Sequence, residues 1–384
     1  MNIANMSLGD GIGWGVGDGA WKSKEAIERR VEAWKKELCI NKVFIRYSYP
    51  RAKSWAGGYR KYLALIKSWK RVIPVYDPLK DMPGICHKLG VEAYLYMSLF
   101  DEGWPLLSAK ERKHSYHNNQ HAQHTAAQTK FSYEHPEYAV VDRTGKKRQW
   151  GVLCLAYPEV RQHFIKRYLD SLKDAGYDGM FVCMRSQSKP AEFADQYGFN
   201  EPIRREYLKR YNRDILMQDF NLDLWRKLCG DYITIFLAEL KKELSKINTK
   251  LGVGIPTSDY LGPPMGNTVI DWQSWMQRQI VDDLIVEQDS SRCPSMNIDL
   301  WPNDQGYGYI DPVRNSVYFM NNYYYREIQY SNTKLYISRQ WDERSINEDV
   351  RLLQLLGVIG LIYSAFKHDN PEVVLKNDWR VKHT

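Results

Sequence analysis

Long apolar runs are missing from this 384-residue sequence, and no stretch reaches the roughly 20 apolar residues that a membrane-spanning helix needs. Residues 1–19 carry glycine and aspartate where a secretory signal has a positive flank and an apolar stretch, so we expect no signal peptide there. The expected location is the cytoplasm, or the periplasm or cell exterior if a signal has been removed. No membrane partner is expected.

Cysteine is scarce, and its six residues are scattered without a Cys-x-x-Cys pair. This spacing argues against a zinc knuckle and against a disulfide framework. Cys154 and Cys183 lie in apolar, strand-like runs, which favours positions in the core over reactive ones.

Cofactor and metal motifs are weak. The alternating glycines of residues 9–19 loosely resemble a dinucleotide fingerprint, but Trp14 and Asp18 interrupt it, and no acidic residue closes a following strand at the required distance. Four histidines are spaced to share one helix face, where they could bind a metal: His114, His117, His121 and His124. Poor helix formers lie between them without a companion carboxylate, so we expect an exposed polar insertion, no metal and no cofactor.

Aromatic residues are abundant: 27 Tyr, 13 Trp and 11 Phe make up 13% of the chain. Tyr and Trp exceed what a core needs, because each must place a polar atom where a partner or water can reach it. Lys and Arg outnumber Asp and Glu by 54 to 46, which gives a net charge of +8. These features favour flat or anionic ligands, and sugars and nucleic acids are the two obvious classes.

No nucleic-acid signature accompanies the positive charge. The densest basic run, Lys146, Lys147 and Arg148, follows Gly145 and is typical of a solvated hairpin turn. Nucleic acid is therefore not an expected partner.

Short β-branched or aromatic runs alternate with longer amphipathic stretches along the chain. The strands are expected at residues 3–8, 42–49, 91–100, 179–184, 250–256, 281–287, 334–341 and 360–366. The helices are expected at residues 24–38, 59–69, 157–175 and 224–247, with another before Gly90. Eight such units without a linker predict a single α/β domain over residues 1–384, a (β/α)8 TIM barrel. A doubly wound open sheet would instead need a phosphate-binding glycine turn after the first strand.

The chain is longer than a minimal barrel of about 250 residues. The surplus is expected in three insertions, at about residues 101–150, 186–223 and 288–332. Each follows a strand, and long βα loops at that face of a barrel build the substrate cleft.

Residues at the carboxyl ends of the strands are expected to face this cleft. The candidate substrate-binding residues are Arg46, Tyr47, Trp104, Arg185, Gln187, Asp259, Arg339, Trp341, Lys367 and His368. Further polar residues at the same ends are Ser98, Asp101, Glu102 and Tyr260. Aromatic platforms, cations and carboxyl groups together are the parts that glycoside hydrolysis requires.

Glu287 is the leading catalytic candidate, because it is a single carboxylate that ends an apolar strand; the alternative is a structural ion pair with an arginine at the mouth. Asp342, directly after the seventh strand, could be its partner or a helix cap. Glu201 could also be catalytic, or could start a helix at Pro202 beside an Asn200 cap. Asp259 is a third option for the partner.

Three segments carry a family resemblance. They are Tyr157-Pro-Glu-Val-Arg161, Asp178-Gly-Met-Phe181 and Gly198-Phe-Asn-Glu-Pro202. The stretch 134–214 resembles the family-10-like barrel glycosidases of bacterial polysaccharide degradation. The resemblance implies a (β/α)8 barrel that hydrolyses glycosidic bonds in a polysaccharide or oligosaccharide. Related barrels often carry an Asp on the fourth strand, whereas residues 180–184 contain no carboxylate, which shifts the expectation to Glu287.

The expected function is therefore a glycoside hydrolase with two catalytic carboxyl groups. The charge of +8 and four cations at the mouth favour an anionic chain, sulfated or uronate-bearing, as one substrate class: Arg46, Arg185, Arg339 and Lys367. A glycan-binding barrel without activity is the alternative, and a metal-dependent hydrolase using His114–His124 is a third, weaker one. The aromatic surplus is interpreted as sugar platforms, since carboxylates at the mouth would repel nucleic acid.

Overall fold

Eight parallel strands close into a barrel in the computed structural model of the chain. Ten strands are present in the described part: β1 (Asn2–Met6), β2 (Ile40–Arg46), β3 (Glu92–Ser98), β4 (Ala139–Val141), β5 (Arg148–Leu153), β6 (Gly179–Cys183), β7 (Lys250–Pro256), β8 (Asp283–Glu287), β9 (Lys334–Arg339) and β10 (Gly360–Ser364). The structure describes residues 2–6, 23–46, 77–103, 128–184, 193, 195–256, 259–261, 265, 268–287, 323–324, 326–339 and 360–364.

The order around the barrel is β1-β10-β9-β8-β7-β6-β3-β2, and β2 returns to β1. All eight neighbouring pairs are parallel. The predicted (β/α)8 fold is confirmed, because every predicted barrel strand is present within a few residues of its expected bounds. β7 matches its predicted range, and the helix predicted at residues 59–69 lies outside the described residues.

The helices begin where the sequence offers caps. They are α1 (Lys24–Leu38), α2 (Pro78–Lys88), α3 (Lys130–Glu134), α4 (Pro158–Leu172), α5 (Glu201–Tyr211), α6 (Leu222–Lys246) and α7 (Trp272–Gln277), with a 3-10 turn at Pro136–Tyr138. Ser23 caps α1 through the backbone N–H of Ala26, and Asn221 caps α6 through two backbone N–H groups. Among the helices of the described part, none is long and apolar enough to cross a membrane.

The first insertion contains an antiparallel hairpin of β4 and β5 that the sequence did not predict as strands. Asp142 fixes its turn, because one carboxylate oxygen accepts the backbone N–H groups of Lys146 and Lys147 at 3.0 and 3.1 Å. The basic run 146–148 therefore lies in a hairpin, as expected. Asn200 is the N-cap residue of α5, the position that the sequence offered for it, but its side chain makes no hydrogen bond to the helix. The side chain instead bonds the backbone of β4, through Ala139 O at 2.9 Å and Val141 N at 3.2 Å.

Large aromatic side chains fill the barrel. The interior cluster consists of Ile3, Phe44, Tyr94, Tyr96, Phe181, Cys183, Ile285 and Tyr336. The rings of Phe44 and Phe181 stack with centroids 4.5 Å apart. Gly179 is required here, because a Cβ on this residue would lie 2.3 Å from the ring of Tyr94. Part of the aromatic content is thus core, and the interpretation of the remaining Tyr and Trp as sugar platforms stays a prediction.

Candidate active site

The mouth of the barrel lies at the carboxyl ends of its strands, and β2 and β3 bring three polar side chains together there. Arg46 ends β2, and its Nη2 lies 3.4 Å from Ser98 Oγ and 3.5 Å from Asp101 Oδ2. The guanidinium carbon also lies 5.3 Å from the ring centroid of Tyr96. These polar contacts are long for hydrogen bonds, and the Arg46 side chain is 19% exposed. The predicted binding residue Arg46 therefore lies at the mouth beside Ser98 and Asp101.

Glu287 is the last residue of β8, and its Cα pairs with Pro256 of β7 and Ser338 of β9. Side chains alternate between the two faces of a strand, so position 287 lies on the same face of β8 as Ile285 and Asp283. Both of those residues point into the barrel, where they are buried. The backbone of Glu287 thus occupies an inward-facing position at the mouth, as expected, and its side chain lies outside the described part.

Asp259 follows β7 and presents a carboxylate that two aromatic donors hold. The indole N–H of Trp272 donates to Oδ1 at 2.9 Å, and the Tyr323 hydroxyl donates to Oδ2 at 2.6 Å. The backbone N–H of Ile270 donates to the Asp259 carbonyl at 2.7 Å. The sequence identified Asp259 but not its donors, because Tyr323 is 64 residues away and no local pattern links the two. The arrangement fixes the direction of this carboxylate.

Glu102 is also near the end of β3, but it is buried and each of its carboxylate oxygens has a hydrogen-bond partner. Arg167 Nη1 of α4 lies 2.7 Å from Oε1, and Thr129 Oγ1 donates to Oε2 at 2.7 Å. The residue is 1% exposed. This carboxylate therefore fastens the first insertion to α4 and is not placed to meet a ligand.

Glu201 lies on the first turn of α5. Its side chain is 56% exposed, and Oε1 lies 2.7 Å from Arg205 Nε one turn later. Acidic residues are favoured in this turn because they face the positive end of the helix dipole. Glu201 therefore lies at the start of a helix, which is the alternative to catalysis that the sequence offered.

Several predicted site residues lie outside the described residues: Tyr47, Trp104, Arg185, Gln187, Trp341, Asp342, Lys367 and His368. The glycine run at residues 9–19 and the histidines at residues 114–124 also fall there. Arg339 ends β9, and its side chain is likewise outside the described part.

A second charged group, which the sequence did not reveal, lies inside the barrel near the amino ends of the strands. Lys42 Nζ is 2.7 Å from Asp283 Oδ2, and the Tyr94 hydroxyl donates to the same oxygen at 2.8 Å. The side chains of Lys42 and Asp283 are only 1% and 2% exposed. Burial, with the Asp283 carboxylate next to it, raises the pKa of Tyr94 far above its ordinary value. Because this end of a barrel serves stability, we assign this group, the lower cluster, to the core.

No protein-family model matches the sequence, and no curated protein matches it either. Among solved structures, the chain is similar to the PgaB (BpsB) glycoside hydrolase domain from Bordetella bronchiseptica, with a TM-score of 0.54, 12% identity and 99% of both chains covered. The spore cortex-lytic enzyme SleL from Bacillus megaterium gives a TM-score of 0.46 at 9% identity, covering 98% of this chain and 72% of that one. The PelA glycoside hydrolase domain from Pseudomonas aeruginosa gives 0.42 at 11% identity, covering 95% and 94%.

The likeness to the PgaB domain, with its TM-score of 0.54, supports the fold, a (β/α)8 barrel. At 12% identity it carries no catalytic residues across. The PgaB and PelA structures are both named as glycoside hydrolase domains. None of these three structures is named as a family-10-like barrel.

Proposed function

We propose that the chain is a glycoside hydrolase that cleaves a polysaccharide or oligosaccharide at the mouth of the barrel. The observation that carries the proposal is the closed parallel barrel, which sets carboxyl residues at the carboxyl ends of β3, β7 and β8: Asp101, Asp259 and Glu287. Barrel enzymes hold their catalytic groups at this face. The PgaB domain, whose structure is similar to this barrel, is named as a glycoside hydrolase.

Glu287 and Asp259 are the proposed catalytic pair. Pro256, the last residue of β7 and three residues before Asp259, pairs with Glu287 in the sheet, so the two carboxyl residues lie at the ends of neighbouring strands. One carboxyl group would protonate the leaving oxygen, and the other would attack the sugar or activate water. The donors on Asp259 suit it to a fixed role as the charged partner. Asp342, which follows β9 in the sequence, is the competing partner.

The proposed substrate is rich in hydroxyl groups, and a sulfated or uronate-bearing chain is one variant of it. Arg46 is the one predicted mouth cation whose side chain is described, and Asp101 lies beside it. Arg46 therefore brings little net charge to the mouth and suits hydrogen bonds to sugar hydroxyls. Selection of an anionic chain would depend on Arg185, Arg339 and Lys367.

Product analysis tests this function. The purified protein is incubated with a panel of neutral and sulfated polysaccharides, and the products are resolved by size. We expect shortening by the wild type and loss of about 1,000-fold or more in rate for Glu287→Gln, with a similar loss for Asp259→Asn. Asp342→Asn tests the competing partner: if Asp342 and not Asp259 is the second catalytic carboxylate, this variant loses the activity and Asp259→Asn keeps it. Asp170→Asn, an exposed carboxylate of α4, is the matched control and should keep full activity.

A glycan-binding barrel without hydrolysis is the second candidate, and a specific observation favours it: β6 and Met184 after it carry no carboxylate. This candidate predicts that a glycan binds but no product forms on long incubation. Full activity of Glu287→Gln on a cleaved glycan would overturn the assignment of Glu287.

A further inference from the structure

The Asp259 carboxylate is a half-buried group whose direction depends on hydrogen bonds from other parts of the chain. The torsion that turns an aspartate carboxylate about its Cβ–Cγ bond is soft, so the side chain by itself does not hold one direction. The Trp272 indole N–H donates to Oδ1 at 2.9 Å, and the Tyr323 hydroxyl donates to Oδ2 at 2.6 Å. With one donor on each oxygen, a rotation of the carboxylate would break both bonds.

The two donors are held by a group of packed rings, the ring cluster, which consists of Trp272, Tyr323 and Tyr324. Trp272 and Tyr324 are buried, and their ring centroids lie 4.7 Å apart. The Tyr323 ring lies 5.6 Å from that of Trp272 and meets the Tyr324 ring edge to face at 5.2 Å. Rings packed in this way have little freedom to turn, so the cluster sets where the indole N–H and the Tyr323 hydroxyl point.

The backbone around Asp259 is also held in place. The Ile270 N–H donates to the Asp259 carbonyl at 2.7 Å, and an antiparallel bridge joins Tyr260 to Val269. The Val269 carbonyl approaches α6 so closely that a Cβ on Gly230 would lie 1.9 Å from its oxygen, so glycine is required there. The hairpin that carries Asp259 is thus fixed against α6, and the two donors act on the carboxylate torsion that remains.

Trp272 and Tyr323 come from different units of the barrel. Trp272 is the first residue of α7, between β7 and β8, whereas Tyr323 lies between β8 and β9. Tyr323 therefore belongs to the connection that begins after Glu287, the proposed partner of Asp259. Both donors are neutral groups, so they direct the carboxylate without cancelling its charge. A charged carboxylate with a fixed direction is what the partner of a proton donor must be in glycoside hydrolysis.

We propose that Tyr323 is a positioning residue, which together with Trp272 holds the Asp259 carboxylate in the direction that the reaction requires. The inference rests on the proposed function, because it gives Tyr323 a role through Asp259 and not by contact with the substrate. Loss of the hydroxyl lets the carboxylate turn and lowers the fraction of molecules in the reactive geometry. The kcat then falls while the KM stays nearly unchanged, since the groups that bind the sugar chain remain in place.

Tyr323→Phe tests this role, because it keeps the ring and its packing and removes only the hydroxyl. We expect the kcat on a cleaved glycan to fall about 30-fold, with the KM within about twofold of the wild type. Tyr207→Phe is the matched control. The Tyr207 hydroxyl of α5 donates to the Asn221 carbonyl at 3.1 Å, and its loss should leave the kcat unchanged while costing a similar amount of stability in urea denaturation.

A double variant shows whether Tyr323 acts through Asp259. Tyr323→Phe/Asp259→Asn should cleave no more slowly than Asp259→Asn alone, to within about twofold, because the direction of a lost carboxylate no longer matters. Additive losses in the double variant would overturn the inference, and so would a wild-type kcat in Tyr323→Phe or an equal fall of the kcat in Tyr207→Phe. Full activity of Asp259→Asn would overturn it as well. Each of these results leaves the hydrolase itself intact.

A measurement without substrate separates this inference from the hydrolase assignment. In protein that carries isotopically labelled tryptophan, the indole N–H resonance of Trp272 reports the bond to Asp259, and it is identified by its loss in Trp272→Phe or its shift in Asp259→Asn. We expect this resonance to move upfield in Tyr323→Phe, since a turned carboxylate accepts the indole proton less well, and to stay in place in Tyr207→Phe. An unmoved resonance in Tyr323→Phe would overturn the inference. A moved resonance in a protein that cleaves no glycan would retain the hold of Tyr323 on Asp259 while refuting the hydrolase.

Discussion

On three strands of the barrel, a cation, a hydroxyl residue or a carboxylate occurs twice, four residues apart. The first set is buried and tightly hydrogen-bonded, whereas the second lies at the mouth. Lys42, Tyr94 and Asp283 form the lower cluster, and Arg46, Ser98 and Glu287 follow them on β2, β3 and β8. In the lower cluster the hydrogen bonds to Asp283 are 2.7 and 2.8 Å long, and the side chains of Lys42 and Asp283 are buried away from water. At the mouth, Arg46 lies 3.4 Å from Ser98 Oγ and 3.5 Å from Asp101 Oδ2 and is partly exposed.

The difference shows how one strand pattern can serve two purposes. A buried cation and carboxylate must satisfy each other, because an unpaired charge in the interior is strongly destabilising. A cation at the mouth can share its donors with water or a ligand, so a loose arrangement costs little there. We therefore expect the lower cluster to determine stability and the mouth to determine activity.

The largest effect is expected from breaking the lower cluster. Lys42→Ala leaves Asp283 buried without its cation, and we expect the free energy of unfolding to fall by about 3–5 kcal/mol, measured by urea denaturation. The double variant Lys42→Met/Asp283→Leu is the control, because it removes both charges and should lie within about 2 kcal/mol of the wild type. Equal losses in the two variants would mean that packing, and not the unpaired charge, explains the effect.

At the mouth, Arg46→Met should separate activity from stability. We expect the kcat/KM on a cleaved glycan to fall about 100-fold, because a donor that positions the substrate is lost. The free energy of unfolding should change by less than about 1 kcal/mol, since the Arg46 side chain is partly exposed. A stability loss comparable with that of Lys42→Ala would erase the contrast between the two groups.

Tyr94→Phe tests the hydroxyl of the lower cluster alone. It removes one donor to Asp283 while the Lys42 contact stays in place, so we expect a loss of about 2 kcal/mol in unfolding free energy. Activity should be retained when the folded protein is assayed at low temperature. Loss of activity without loss of stability would show that this cluster serves catalysis after all.

Ser98→Ala is the counterpart at the mouth and should have the smallest effect. The Arg46 to Ser98 contact of 3.4 Å is weak, so we expect a change below about 0.5 kcal/mol in urea denaturation. A loss matching that of Tyr94→Phe would indicate that the mouth is as tightly bonded as the lower cluster.

The motifs that suggested a glycosidase have structural roles where they are described. In the Asp178-Gly179 pair, Asp178 Oδ2 accepts the backbone N–H of Ala93 at 2.8 Å, and Gly179 makes room for the Tyr94 ring. Arg161 pairs with Glu239 at 2.9 Å. These residues join β3, β6 and the helices around them, so the resemblance captured the construction of the barrel more than its chemistry.

The sequence by itself determined the eight strands, most of the described helices and the positions where the strands end, because these depend on local hydrophobic periodicity and on caps. It also placed Arg46, Asp259 and Glu287 at the mouth. Only the tertiary structure decided how polar side chains pair, as with Lys42 and Asp283, which are 241 residues apart. The side chain of Asn200 bonds β4, 61 residues earlier, and so gives up its local role as a cap. Local patterns set the backbone of each unit, whereas closure of the ring brings distant strands together and selects the partners.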